Sequence, residues 1–247
     1  MEASLPTLWG FALLLFRTTG LCMTAPMLGA RIVPGRVKLG IALALTFAVY
    51  NGAGAPGVPV PSTLLGLAGS AVVESLTGLL GGLSARWMLD AALAAGHLAG
   101  LSAGLGFSAL VDPTTGAEST GLSQYLYAGA QAVALSLGIH REAVSWLARA
   151  AVTWPPGSTP ALGTLAANVV GHAVLAVALA VRMAFPVMAA VLLGHAVMGA
   201  LNRMAPQLGL ANVGFSIALL AGGLGVYLSA PAVAELVARA AVSAFQG

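Results

Sequence analysis

Charge is scarce in this chain, and cysteine scarcer. Lys, Arg, Asp and Glu make up 7% of its 247 residues, against roughly 25% in an ordinary soluble domain. So few charges cannot cover a water-soluble globule of this size, so most of the surface must meet lipid or other apolar chains. Cys22 is alone, which excludes an internal disulfide and a cysteine-built zinc site. The formal charge of +3 is spread thinly. With no basic patch, nucleic-acid binding has no electrostatic footprint. The first residues, "MEASLPTLWGFALLLFRTTG", have no basic stretch, and Arg17 interrupts their apolar run. They read as a retained helix rather than a cleaved leader.

Chemical motifs are missing too. His97, His140, His172 and His195 are widely spaced and form no HExxH, so the sequence implies neither a metal nor any other cofactor. Ser102 and Ser108 lie in a glycine-rich stretch, but a serine nucleophile needs a strand–turn–helix context that this chain does not offer. No Walker A sequence is present, and catalysis is not expected. Glu74, Asp90 and His97 are ionisable groups in or beside apolar runs. They suggest either a proton path or packing bonds such as an Arg86–Asp90 pair one helical turn apart.

What remains is apolar and small. The chain is 59% hydrophobic, carries 32 glycines and has a mean hydropathy of +0.95, while aromatics reach only 6%. Stretches such as "GLLGGLSA" (78–85) and "GHLAGLSAGLG" (96–106) repeat the small-xxx-small spacing that lets helix backbones approach. The expectation is an all-α membrane protein of densely packed helices.

Breakers divide the chain into apolar segments at 5–28, 39–50, 62–85, 87–111, 122–140, 161–201 and 209–238, with an amphipathic stretch at 141–152. Arg86 and Asp90 mark the boundary between the third and fourth. The loops are the basic 29–38, the proline-rich 51–61 and 153–160, and the polar 112–121. Basic 29–38 and Arg86 alternate with uncharged 51–61 and acidic 112–121, as the positive-inside rule asks. Arg182 and Arg203 break the pattern if Pro186 merely kinks one helix. No internal repeat is visible, and 1–247 reads as one helical unit with a C-terminal helical hairpin from about 161.

Three stretches carry a family likeness. "APMLGARIVPGRVKLGIALALTF" (25–47) contains Pro26, Arg31, Pro34, Arg36 and Lys38, an early basic turn. "GHLAGLSAGLGFSALVDPTTGAEST" (96–120) is a glycine-rich helix end followed by Asp-Pro and a polar loop. "LNRMAPQLGLANVGFSIAL" (201–219) is a hairpin tip with Asn202, Arg203, Pro206 and Gln207. In order and spacing these, with "GIH" (138–140) and "PPG" (155–157), resemble the FliR/SctT family of flagellar and type III secretion export-gate proteins. Ser102, Ala103, His97, Ala211 and Ser216 depart from the family's usual residues.

The resemblance implies a fold of packed helical hairpins with broken helices, an N-terminal part over 1–160 and a FliQ-like hairpin over 161–247. It implies a bacterial inner-membrane, multi-pass subunit of the flagellar basal body. Its partners are FliP-like, FliQ-like and FlhB-like subunits, membrane lipid and unfolded export substrates. The stretch 104–121 then becomes a plug-like loop. Gly104 and Gly106 give it backbone freedom, Phe107, Leu110 and Val111 an apolar seal, and Asp112-Pro113 a helix stop. Asn202, Arg203, Pro206 and Gln207 become a polar tip at the cytoplasmic entrance. A virulence secretion gate, a small-solute transporter and a pathless scaffold are the alternatives.

Overall fold

The computed structural model describes residues 4–29, 33–54, 56–104, 121–158, 160–204 and 211–246. These form seven helices: α1 (Ser4–Thr24), α2 (Gly35–Gly52), α3 (Leu64–Ser102), α4 (Gly121–Ser136), α5 (Ile139–Thr153), α6 (Leu162–Met204) and α7 (Ala211–Ser243). No strand occurs among the described residues, and the protein is an all-α membrane protein. Four helices, α1, α3, α6 and α7, are long and apolar enough to cross a bilayer.

One boundary read from the sequence is wrong. Segments 62–85 and 87–111 do not separate at Arg86 and Asp90, because α3 (Leu64–Ser102) continues across both positions as one helix of 39 residues. No proline interrupts it, and a charged side chain does not break a helix when it has a partner; both Arg86 and Asp90 are engaged. The basic junction counted for charge alternation is therefore not a loop. At 1.5 Å per residue α3 is about 58 Å long and α6 about 64 Å, roughly twice the hydrocarbon thickness of a bilayer. Pro186 lies inside α6. Lacking an N–H, it leaves the carbonyl of Arg182 without its helical donor. Arg182 and Arg203 are about 31 Å apart along this helix, one membrane thickness. That spacing explains why they resist assignment to one side.

Contacts divide the chain into two compact units. The first comprises Met1–Trp87, Leu135–Ala173 and Ala240–Gly247; the second comprises Met88–Ala134 and Val174–Arg239. In the first, α2 packs on α1 and on α5. Backbone contact joins α1 to α3: a Cβ on Gly78 would collide with the Arg17 carbonyl, and one on Gly82 would lie 2.7 Å from the Ala25 nitrogen. Gly78 and Gly82 are the small-xxx-small pair of the "GLLGG" stretch. Residues 56–61 are fastened down as well, with the Val58 N–H donating to the Pro6 carbonyl at 3.0 Å. The Tyr50 hydroxyl donates to the carbonyls of Thr7 at 2.6 Å and Pro56 at 3.0 Å.

The second unit has close helix contacts as well. A Cβ on Gly96 of α3 would strike Ser123 of α4, and one on Gly225 of α7 would stand 3.3 Å from the Val187 Cα of α6. Its outer surface is strongly apolar: Phe185, Leu192, Leu220 and Tyr227 are each about two-thirds or more exposed.

Candidate functional site

The sequence scatters its few charges without saying which of them meet. Arg17 and Glu74, on α1 and α3, meet in the first unit at full burial. The Arg17 Nε donates to Glu74 Oε2 at 2.6 Å. The Arg17 Nη1 donates to the carbonyls of Ala150 and Trp154, both at 2.9 Å. Glu74 Oε1 accepts from the Gly157 N–H at 2.8 Å. One ion pair thus ties α1, α3, the end of α5 and the "PPG" turn. Gly157 reaches it at φ 81, a conformation other residues adopt only with strain. Both carboxylate oxygens of Glu74 are thus hydrogen-bonded, which gives it a structural part as an anchor between segments. Arg17 Nη2 is buried and finds no partner among the described residues.

The stretch read as a gate begins at the end of α3, in the second unit. Gly104, at φ 79, closes that helix, and its N–H donates to the Leu101 carbonyl at 3.1 Å. Just before it, Ala103 and Val191 are buried together. A Cβ on Gly222 would lie 3.1 Å from Val191 and 3.2 Å from Ala103, so α3, α6 and α7 converge at the root of the loop. Gly106, Phe107, Leu110, Val111, Asp112 and Pro113 lie outside the described residues.

Of the residues read as a hairpin tip, Asn202 and Arg203 are exposed in the last turn of α6, where a cation complements the helix dipole. Pro206 and Gln207 lie outside the described residues, as does Arg31. Pro34 caps α2 through its backbone, with no side-chain bond, and Arg36 and Lys38 fall in the first helical turn. Rather than a free loop, the basic turn is thus largely a helix start. Among the described residues no three His, Cys, Asp or Glu side chains group to hold a metal ion.

Sequence reading missed the pairing of Arg17 with Glu74. It noted each as a charge out of place. Their opposite signs, deep in two apolar helices, were the available signal.

The profile of the family described as bacterial export proteins, family 1, matches residues 8–243. This chain belongs to that family. It is 34% identical over 211 residues to the flagellar biosynthetic protein FliR of Escherichia coli K12, covering 84% of this chain and 79% of that one. It is 31% identical over 228 residues to the FliR of Pectobacterium carotovorum, covering 88% and 82%. The FliR of Caulobacter vibrioides is 27% identical over 221 residues, covering 88% and 84%. The export-family member thus keeps its likeness from α1 to α7.

Proposed function

We propose that the chain is a non-enzymatic subunit of the flagellar type III export gate in the bacterial inner membrane and basal body. With FliP-like and FliQ-like membrane subunits, and in contact with a FlhB-like subunit, it forms the channel that passes unfolded flagellar proteins. The observation that carries this reading is the likeness, over nearly the whole chain, to proteins named for flagellar biosynthesis. The exposed apolar face of α6 and α7 supports it, because so large a greasy surface calls for lipid or neighbouring helices.

In this reading the segment from Gly104 to Pro113 is the plug. Its root is braced by Ala103, Val191 and Gly222, so the loop can deform while the helices beneath it stay packed. Asn202, Arg203, Pro206 and Gln207 line the entrance on the cytoplasmic side. Arg31, Pro34, Arg36 and Lys38 form the basic turn on that same side, following the positive-inside rule.

The test removes Phe107 to Leu110 and expresses the variant in cells lacking the native gene. It should still co-purify with the FliP-like and FliQ-like subunits yet leak small solutes. Phe107→Asp should leak less, and Phe107→Leu should stay tight. An assembled, tight deletion variant sinks the plug assignment. Failure of the native chain to co-purify with either partner sinks the gate reading itself.

A further inference from the structure

Two prolines lie inside the long helices of the second unit, Pro186 in α6 and Pro231 in α7. The export reading gives neither of them a role. Each lacks an N–H, so Pro186 leaves the Arg182 carbonyl, and Pro231 the Tyr227 carbonyl, without a helical donor. Helices bend where such a bond is lost. Taken separately, each proline is one weak turn in one helix.

Packing puts the two weak turns at the same level. A Cβ on Gly222 would meet Val191, and one on Gly225 would meet Val187 and Ala190. As the number falls along α7 it rises along α6, so the two helices run antiparallel. From Gly225, two residues on along α7 and about two back along α6 set Tyr227 level with Pro186. Six on and about six back set Pro231 level with Arg182. Each proline thus stands level with the carbonyl that the other has freed. Both helices lack a hydrogen bond across one shared turn.

The surroundings favour bending there. An apolar groove of about 560 Å³ lies between the two helices, lined by Pro186, Ala190, Leu193, Leu224, Leu228 and Ser229 among others. One side of the pair is therefore open to closure. The Ser229 hydroxyl donates to the Gly225 carbonyl at 2.7 Å, a back-bond to the preceding turn that weakens and bends helices.

We infer that Pro186 and Pro231 form one hinge, at which α6 and α7 bend together. Two helices packed side by side bend as a pair only if both yield at one level, since a break in one alone is splinted by the other. Met204 lies about 27 Å beyond Pro186 along α6, so a bend of about 20° carries the end of that helix roughly 9 Å. Val191 and Gly222, which meet Ala103, lie within about two turns of the hinge on the tip side. Bending therefore also shifts the root of the stretch that begins at Gly104. That this couples the hairpin tip to a plug rests on the gate reading; the hinge itself does not.

The full-length chain, with Cys22→Ala to remove the native thiol, is spin-labelled at Leu175→Cys and Val197→Cys, exposed positions eleven residues either side of Pro186. Leu65→Cys with Trp87→Cys, also exposed and 22 residues apart, is the control pair on the proline-free α3. Pulsed dipolar spectroscopy in lipid nanodiscs should give a distance distribution roughly twice as broad across Pro186 as on α3. Pro186→Ala should narrow it to the control width. Pro231→Ala, on the other helix, should narrow it too, because a restored α7 splints α6; Pro231→Leu serves the same end if that variant does not insert. An α6 distribution as narrow as the control overturns the hinge. A width that answers to Pro186→Ala but to neither change at Pro231 overturns the sharing, and the prolines are then two independent breaks.

Discussion

In the first unit a buried guanidinium and a buried carboxylate meet each other and three backbone groups, and glycines bring α1 and α3 into backbone contact. In the second, long helices meet through Ala103, Val191 and Gly222 and turn Phe185, Leu192, Leu220 and Tyr227 outward. The first unit satisfies most of its buried polar groups from within one chain. It is therefore specific and intolerant, since a buried charge that loses its partner has no water to fall back on. The second meets largely through small apolar side chains where α3, α6 and α7 converge. It tolerates change in isolation but leaves apolar surface that only other molecules can cover. A subunit that must hold its own shape while presenting a docking face to neighbours needs both.

The hardest blow to this contrast falls on Glu74. Glu74→Ala strands the Arg17 guanidinium at full burial and should destabilise the first unit by about 3–5 kcal/mol. Thermal unfolding in detergent, or protein level in membranes, reads the effect. Arg17→Met combined with Glu74→Leu should recover most of the loss, because an apolar pair needs no counter-charge. If Glu74→Ala melts like the native chain, the ion pair does not organise this unit.

Next comes the backbone contact. Gly78→Val puts a side chain into the Arg17 carbonyl and should cost about 1–3 kcal/mol through overpacking. Gly199→Ala in the second unit meets nothing within 4 Å and should instead gain up to about 1 kcal/mol in helix propensity. The same melting experiment distinguishes them, and equal shifts would show that the α1–α3 backbone contact does not make Gly78 intolerant.

A smaller effect on the isolated chain is expected from the exposed hairpin face. Leu224→Ser should move the stability of the lone subunit by no more than about 0.5 kcal/mol, yet reduce the amount of FliP-like and FliQ-like protein that co-purifies. Loss of stability without loss of partners would reverse the roles assigned to the two units. Arg203→Glu should be mildest of all. It removes a favourable charge–dipole contact at the end of α6, worth about 0.3–1 kcal/mol, and should lower secretion while insertion into the membrane stays normal. Wild-type secretion at normal protein level would remove Arg203 from the entrance.

Much of this could be read along the chain. The shortage of charge put the protein in a membrane, and the spacing of Gly78 and Gly82 announced close helix packing. Pro26, Arg31, Pro34, Arg36 and Lys38, the stretch 96–120, and Asn202, Arg203, Pro206 and Gln207, in that order, carried the resemblance to the family. These are properties of composition and local spacing, and local physics suffices to interpret them. The continuity of α3 was obscured by Arg86 and Asp90, because a charge in an apolar run looks like a boundary until a partner is known.

Sequence alone therefore determined the solvent, the helical class and the positions where helices can touch, since each depends on residues within a few turns of one another. Tertiary structure alone decided that Arg17 meets Glu74 across 57 positions of sequence and that the "PPG" turn completes their bonding. Pairing between distant residues depends on how helices cross, and crossing is set by the sum of many small packing contacts. No local pattern encodes that sum.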